Sequence, residues 1–158
     1  VPILPLSVFI TLNFLTFGSI IGFIISWVFT VLGCMMSYYI FKSSVSEKRL
    51  EKFKENQTLL KVINVIENMN FTSLALLIAI PFTPAFAVNI AAGICRVDKK
   101  KFLYALMIGK ISLVYFWGYV GVNLIEALKT PIVLIKLAVI VLIVYIISYI
   151  LSKKLKIK

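Results

Sequence analysis

Two prolines and an asparagine interrupt the apolar run Ile80-Pro81-Phe82-Thr83-Pro84-Ala85-Phe86-Ala87-Val88-Asn89-Ile90-Ala91-Ala92-Gly93, and these are the residues whose types and spacing could do chemistry. Proline has no amide donor and clashes with the turn before it, so Pro81 and Pro84 together should break a helix and leave backbone groups unpaired. Asn89 brings two donors and an acceptor into apolar surroundings, where each needs a partner. The chemistry open to such a set is recognition rather than bond-making: free amides and a carboxamide can hold a polar headgroup or an ion. Asn89 can equally cap the second arm or bond the broken backbone at Pro81, and both readings stay open. Gly93 and Arg96 close the segment. Arg96, with Lys99 to Lys101, could hold a phosphate, although chain orientation alone also explains its sign. The candidate binding set is therefore Pro81, Pro84, Asn89, Gly93 and Arg96.

Other reactive groups are sparse. There is no histidine, which removes the commonest general base and metal ligand. Cys34 and Cys95 lie in apolar sequence without ligand-like spacing and read as buried free thiols. No Gly-rich phosphate loop, His-Glu pair, nucleophile elbow or acidic metal cluster is present. No cofactor, no metal and no enzymatic activity are expected. Lys110 and Lys136 stand inside apolar segments, where charge is costly, and are expected to snorkel to the inner and outer interfaces respectively; Glu126 can pair with Lys129. Gly18 and Gly22 form a small-xxx-small step, and these and the other glycines are expected to serve close helix packing.

The elements that position these residues follow from composition. Of 158 residues, 61% are hydrophobic and 15% charged, with a mean hydropathy of +1.05, well away from the mix of soluble domains. This is an all-α polytopic membrane protein forming a single membrane domain. Its net charge of +11 sits in clusters flanking apolar segments, so no nucleic-acid partner is needed to explain it. Residues 18–41, 102–128 and 131–151 read as spanning helices and 152–158 as a basic tail. Residues 44–70 read as a cytoplasmic amphipathic helix opened by the capping box Ser44-Val45-Ser46-Glu47, with Leu50, Phe53 and Leu60 on one face. A solvated linker helix is the competing account.

Charge parity tests the broken segment. If residues 71–96 crossed fully, Arg96 to Lys101 and the lysine tail would both lie outside. If they dip in and return, every basic cluster lies on one face, as the positive-inside rule requires. A re-entrant hairpin with arms of about ten residues, too short to span, is therefore expected. A proline-kinked spanning helix competes with it. Pro2 and Pro5 give residues 1–17 the same character ahead of the 18–41 span. The two halves run in opposite directions, which is an inverted repeat of re-entrant hairpin plus transmembrane helix, with a further C-terminal transmembrane helix. No Met opens the chain and Val1-Pro2 begins inside apolar sequence, which reads as a trimmed start behind a missing span.

Pro81-Phe82-Thr83-Pro84, Asn89, Ala91-Ala92-Gly93, Phe102 and Gly109, together with Phe17-Gly18-Ser19-Ile20-Ile21-Gly22 and Gly33, resemble the DedA or SNARE-associated (VTT-domain) membrane protein family, in its TVP-type branch. The resemblance implies two opposed re-entrant segments and a role in moving phospholipids or polyprenyl phosphates between leaflets. The partners it implies are membrane lipids with anionic headgroups; homo-oligomerisation is left open. Family members often carry an arginine shortly before the first proline of the second motif, where this chain has Ile78, Ala79 and Ile80. Residues 1–41 also lack the carboxylate typical of the DedA branch. The expected location is a bacterial plasma membrane, with basic loops and C-terminus cytoplasmic. A non-transporting scaffold that supports the envelope is the alternative.

Overall fold

The computed structural model describes residues 6–44, 57–83, 85–127 and 131–154. Among them the chain forms six helices and no strand: α1 (Leu6–Ser44), α2 (Gln57–Glu67), α3 (Phe71–Ala79), α4 (Ala85–Ile94), α5 (Lys99–Ala127) and α6 (Pro131–Lys154). Helices α1, α5 and α6 are long and apolar enough to cross a bilayer. Their outer faces expose large apolar side chains such as Ile20, Phe29, Ile132 and Ile135, as a lipid-facing surface would.

Helix α1 is not straight. Gly18 has φ 77° and ψ 172°, a left-handed conformation that a residue with a Cβ rarely adopts. There the chain folds back on itself. Asn13 Nδ2 donates to Ser26 Oγ at 3.0 Å, and Gly22 sits so close that a Cβ on it would lie 2.8 Å from the Cα of Phe14. In a continuous helix the nine residues from Asn13 to Gly22 would span about 13.5 Å. The sequence pairs Gly18 with Gly22 as a packing step, and the structure corrects this. Gly18 has no neighbour within 4 Å of a Cβ position, so it supplies the turn. Gly22 supplies the close approach of the short arm (residues 6–17) to the long arm (residues 19–44).

The proline segment is a full interruption rather than a kink. Asn70 caps α3 through its side chain, accepting from the Ser73 amide at 2.8 Å. The helix stops at Ala79 because Ile80, preceding Pro81, is extended (φ −70°, ψ 119°). After the Pro81-Phe82-Thr83 turn, α4 runs back. Its C-terminus closes with Arg96 at φ 49°, the Arg96 amide donating to Gly93 O and the Val97 amide to Ala92 O. That is a Schellman closure with arginine in the position that favours glycine. Asp98 then caps α5, accepting from the Lys101 amide at 2.8 Å; chiefly this bond holds the carboxyl below its ordinary pKa.

Both ends of this segment lie at the start of α5. Lys101 Nζ donates to Met69 O before α3 at 2.7 Å. Tyr38 Oη donates to Val97 O after α4 at 2.5 Å and accepts from Lys42 Nζ at 2.8 Å. Helices α3 and α4 have nine and ten residues, or about 14–15 Å each, half of a ~30 Å hydrocarbon core. The long arm of α1 runs antiparallel to α5. Trp27 Nε1 donates to Met107 O at 2.9 Å, and further along the rings of Tyr38 and Phe102 stand 5.0 Å apart.

Helix α2 buries Ile63 and Ile66 against the core, so this part of the amphipathic segment lies on the bundle. Its capping box, Leu50 and Phe53, like Pro2, Pro5, Pro84 and Lys129, lie outside the described residues.

Candidate functional site

A cavity of about 650 Å³ opens between the two short elements. Its polar lining comes from four helical segments: Asn13 on the short arm of α1, Ser26, Thr30 and Ser37 on the long arm, Asn89 on α4 and Lys110 on α5. Exposed Phe9, Phe29 and Phe86 also line it, so it opens sideways onto the apolar surface.

Local chemistry explains part of this lining. Ser26, Thr30, Gly33 and Ser37 recur at i, i+4, i+7 and i+11, one face of a helix that is apolar elsewhere. Thr30 Oγ1 donates to Trp27 O and Ser37 Oγ to Gly33 O, both at 3.0 Å, so each hydroxyl is satisfied within its own helix and keeps acceptor lone pairs. Asn13 is held by Ser26, across the Gly18 turn.

Lys110 overturns its sequence reading. Instead of snorkelling to the inner face it is 1% exposed, eleven residues after Lys99 on a 29-residue helix, or about 16 Å along its axis. Asn89, 6% exposed, lines the cavity beside it. Among the described residues, no carboxylate lines either the cavity or the narrow crevice shared by Asn89, Lys110, Ile78 and Thr83. An ammonium at membrane depth costs roughly 2.5–3.5 kcal/mol on insertion scales, so its retention in a polar cavity makes Lys110 a candidate functional residue.

The other candidates are dispersed. Pro81 faces a separate, mostly apolar cavity of about 300 Å³ against α6, which Ser112 and Ser148 also line. Gly93 is a packing glycine: a Cβ there would lie 2.8 Å from Tyr38 O. Arg96 is exposed at the turn beyond α4. Gly33, in contrast, has nothing within 4 Å of a Cβ position and borders the cavity, which corrects its expected packing role. Asn13, Ser26, Thr30 and Lys110 are site residues that the sequence reading missed. The polar stripe on α1 could have revealed two of them.

Residues 4–123 match the VTT domain, more than half of the chain. The chain belongs to the VTT-domain family. This VTT-domain protein is 31% identical over 131 residues to the uncharacterized membrane protein YhjE of Bacillus subtilis (strain 168), covering 83% of this chain and 63% of that one. It is 25% identical over 122 residues to the uncharacterized protein YqeD of the same organism, covering 77% and 59%. It thus spans less than two thirds of either relative's length. No solved structure matches it. Ile78, one of the apolar residues standing where family members often carry arginine, lies in the crevice with Lys110.

The two thiols of this VTT-domain protein differ in setting. Cys34 lines the cavity, whereas Cys95 follows α4 with its Sγ 3.7 Å from Ile63 O. Burial, and secondarily the charge of Glu67, push the Cys95 thiol up to about 11. Its thiolate fraction at pH 8 is then about 0.1%. In Cys34→Ala protein, iodoacetamide should label Cys95 slowly at pH 8, and the rate should climb about tenfold per pH unit up to pH ~10. A rate that levels off near pH 8.5 would show an ordinary exposed thiol instead.

Proposed function

We propose that this VTT-domain protein moves lipids between the leaflets of a bilayer, with headgroups passing through the cavity where its two short elements meet. One observation carries the reading. The short arm of α1 joins the long arm at Gly18, whereas α4 ends beside Tyr38 near the opposite end, and Asn13 and Asn89 of these two elements line one polar cavity. Elements too short to span, approaching from opposite ends, are the parts of an inverted repeat of re-entrant segments. In support, both halves place an apolar arm, a residue at positive φ (Gly18 or Arg96) and a long helix in the same order.

The lateral opening suits this work. Acyl or polyprenyl chains stay in hydrocarbon while the headgroup moves among Asn13, Thr30, Asn89 and Lys110, avoiding the cost of an unpaired polar group in lipid. The activity proposed is transport without bond-making, with the polar lining holding the headgroup through hydrogen bonds and charge alone. The cargo class is phospholipid or polyprenyl phosphate. The basic residues near the start of α5 face the cytoplasm of a bacterial cell, as the positive-inside rule requires.

Vesicles containing the purified protein and fluorophore-labelled lipid test this through a membrane-impermeant quencher. Exchange of at least one of labelled phosphatidylglycerol, phosphatidylethanolamine or polyprenyl phosphate should exceed that in protein-free vesicles. Exchange no faster than in protein-free vesicles for all three would sink the proposal and favour a non-transporting scaffold.

A further inference from the structure

We infer that Lys110 is the charge-selecting residue of the cavity, and that the preferred occupant is a lipid whose headgroup phosphate carries net negative charge with no cation of its own. This rests on the reading of the cavity as a headgroup passage.

The observations are independent of that reading's topology. Lys110 is nearly fully buried, at 1% exposure, and lines the cavity. Among the described residues no Asp or Glu lines the cavity or the adjoining crevice, and no hydrogen bond joins its ammonium to a described residue. Lys136, the other lysine well inside an apolar helix, is exposed instead, so burial is particular to position 110. An ammonium in a low-dielectric setting with no built-in counter-charge is completed by an anionic ligand.

The neighbours fit the same anion. The amides of Asn13 and Asn89 can donate to phosphate oxygens around the Lys110 ammonium. The selectivity follows from what is missing. A zwitterionic headgroup brings its own ammonium close to Lys110, and the lining offers that second cation no carboxylate. Such a lipid meets like-charge repulsion and unpaired donors, whereas an anionic one meets neither.

Lipid retention, rather than transport, tests the inference. Purified full-length chain, stripped of native lipid, is equilibrated with equal amounts of phosphatidylglycerol and phosphatidylethanolamine, and bound lipid is counted by native mass spectrometry. The expected result is a preference of about tenfold or more for phosphatidylglycerol, as one charge-assisted hydrogen bond would give. Lys110→Gln should bring the ratio near one and Lys110→Arg should keep it. The exposed pair Lys99→Gln/Lys100→Gln should also keep it, which separates the cavity from the basic rim.

A wild-type ratio near one overturns the inference, as does a preference that survives Lys110→Gln or disappears with the rim pair. Should Lys110→Gln not fold, the wild-type ratio and the rim pair still decide. Excess inorganic phosphate should leave bound phosphatidylglycerol in place; displacement would make free phosphate the occupant and overturn the lipid assignment. Retention does not require exchange. A clear preference without leaflet exchange would sink transport alone, and exchange without preference would sink only the inference about Lys110.

Discussion

Gly33→Trp is expected to lower lipid exchange at least tenfold while leaving the thermal unfolding midpoint close to wild type. The two halves of that expectation have separate causes. A Cβ at Gly33 meets nothing within 4 Å, so the backbone accepts a side chain there without displacing a neighbour. The open space is the cavity itself, shared with Thr30, Asn89 and Lys110. An indole projecting into it would take up volume a headgroup needs and put an apolar face against the polar lining. Gly33→Ala, which adds one methyl, should leave both exchange and stability near wild type. Exchange in labelled vesicles and a circular-dichroism melt give the two readouts. Undiminished exchange in a folded Gly33→Trp protein would show that lipid travels by another route.

Gly22→Val should have the opposite profile, a large loss of stability from a residue that does not line the cavity. The Cβ would fall 2.7 Å from Asn13 C and 2.8 Å from Phe14 Cα. Both are backbone atoms and cannot swing aside. The short arm must move off the long arm, which breaks the Asn13–Ser26 hydrogen bond and opens the packing of Phe14 against Leu113 and Val114. Overpacking of this kind costs about 3 kcal/mol, enough to lower the unfolding midpoint clearly and to broaden the size-exclusion peak. Gly118→Ala is the informative comparison. Its Cβ meets the far edge of the Phe14 ring, a side chain that can shift, so a smaller loss is expected. Equal losses at the two positions would contradict the folded-back geometry at Gly18.

What was legible in the sequence is what short-range physics decides. Apolar runs of sufficient length mark α1, α5 and α6, because hydrocarbon solvent demands them wherever they sit in the fold. The break before Pro81 follows from the ring's effect on Ile80, one residue away. The family likeness, too, was carried by local glycine and proline patterns. Gly18 was visible but misread, because glycine permits a left-handed turn without requiring one. Whether it packs or turns is settled only when Asn13 and Phe14 meet Gly22.

The sequence by itself thus determined the all-α membrane class, the long helices and the broken segment, all consequences of backbone chemistry and of apolar length within a few residues. The tertiary structure decided the site. Asn13, Asn89 and Lys110 are far apart in the chain, and no local rule brings them to one cavity. The decisive case is Lys110, whose position along α5 was readable but whose facing was not. A lysine near a helix end snorkels when lipid surrounds it; this one is enclosed by α4 and by the folded-back arms of α1, packing contacts that exist only in the assembled fold.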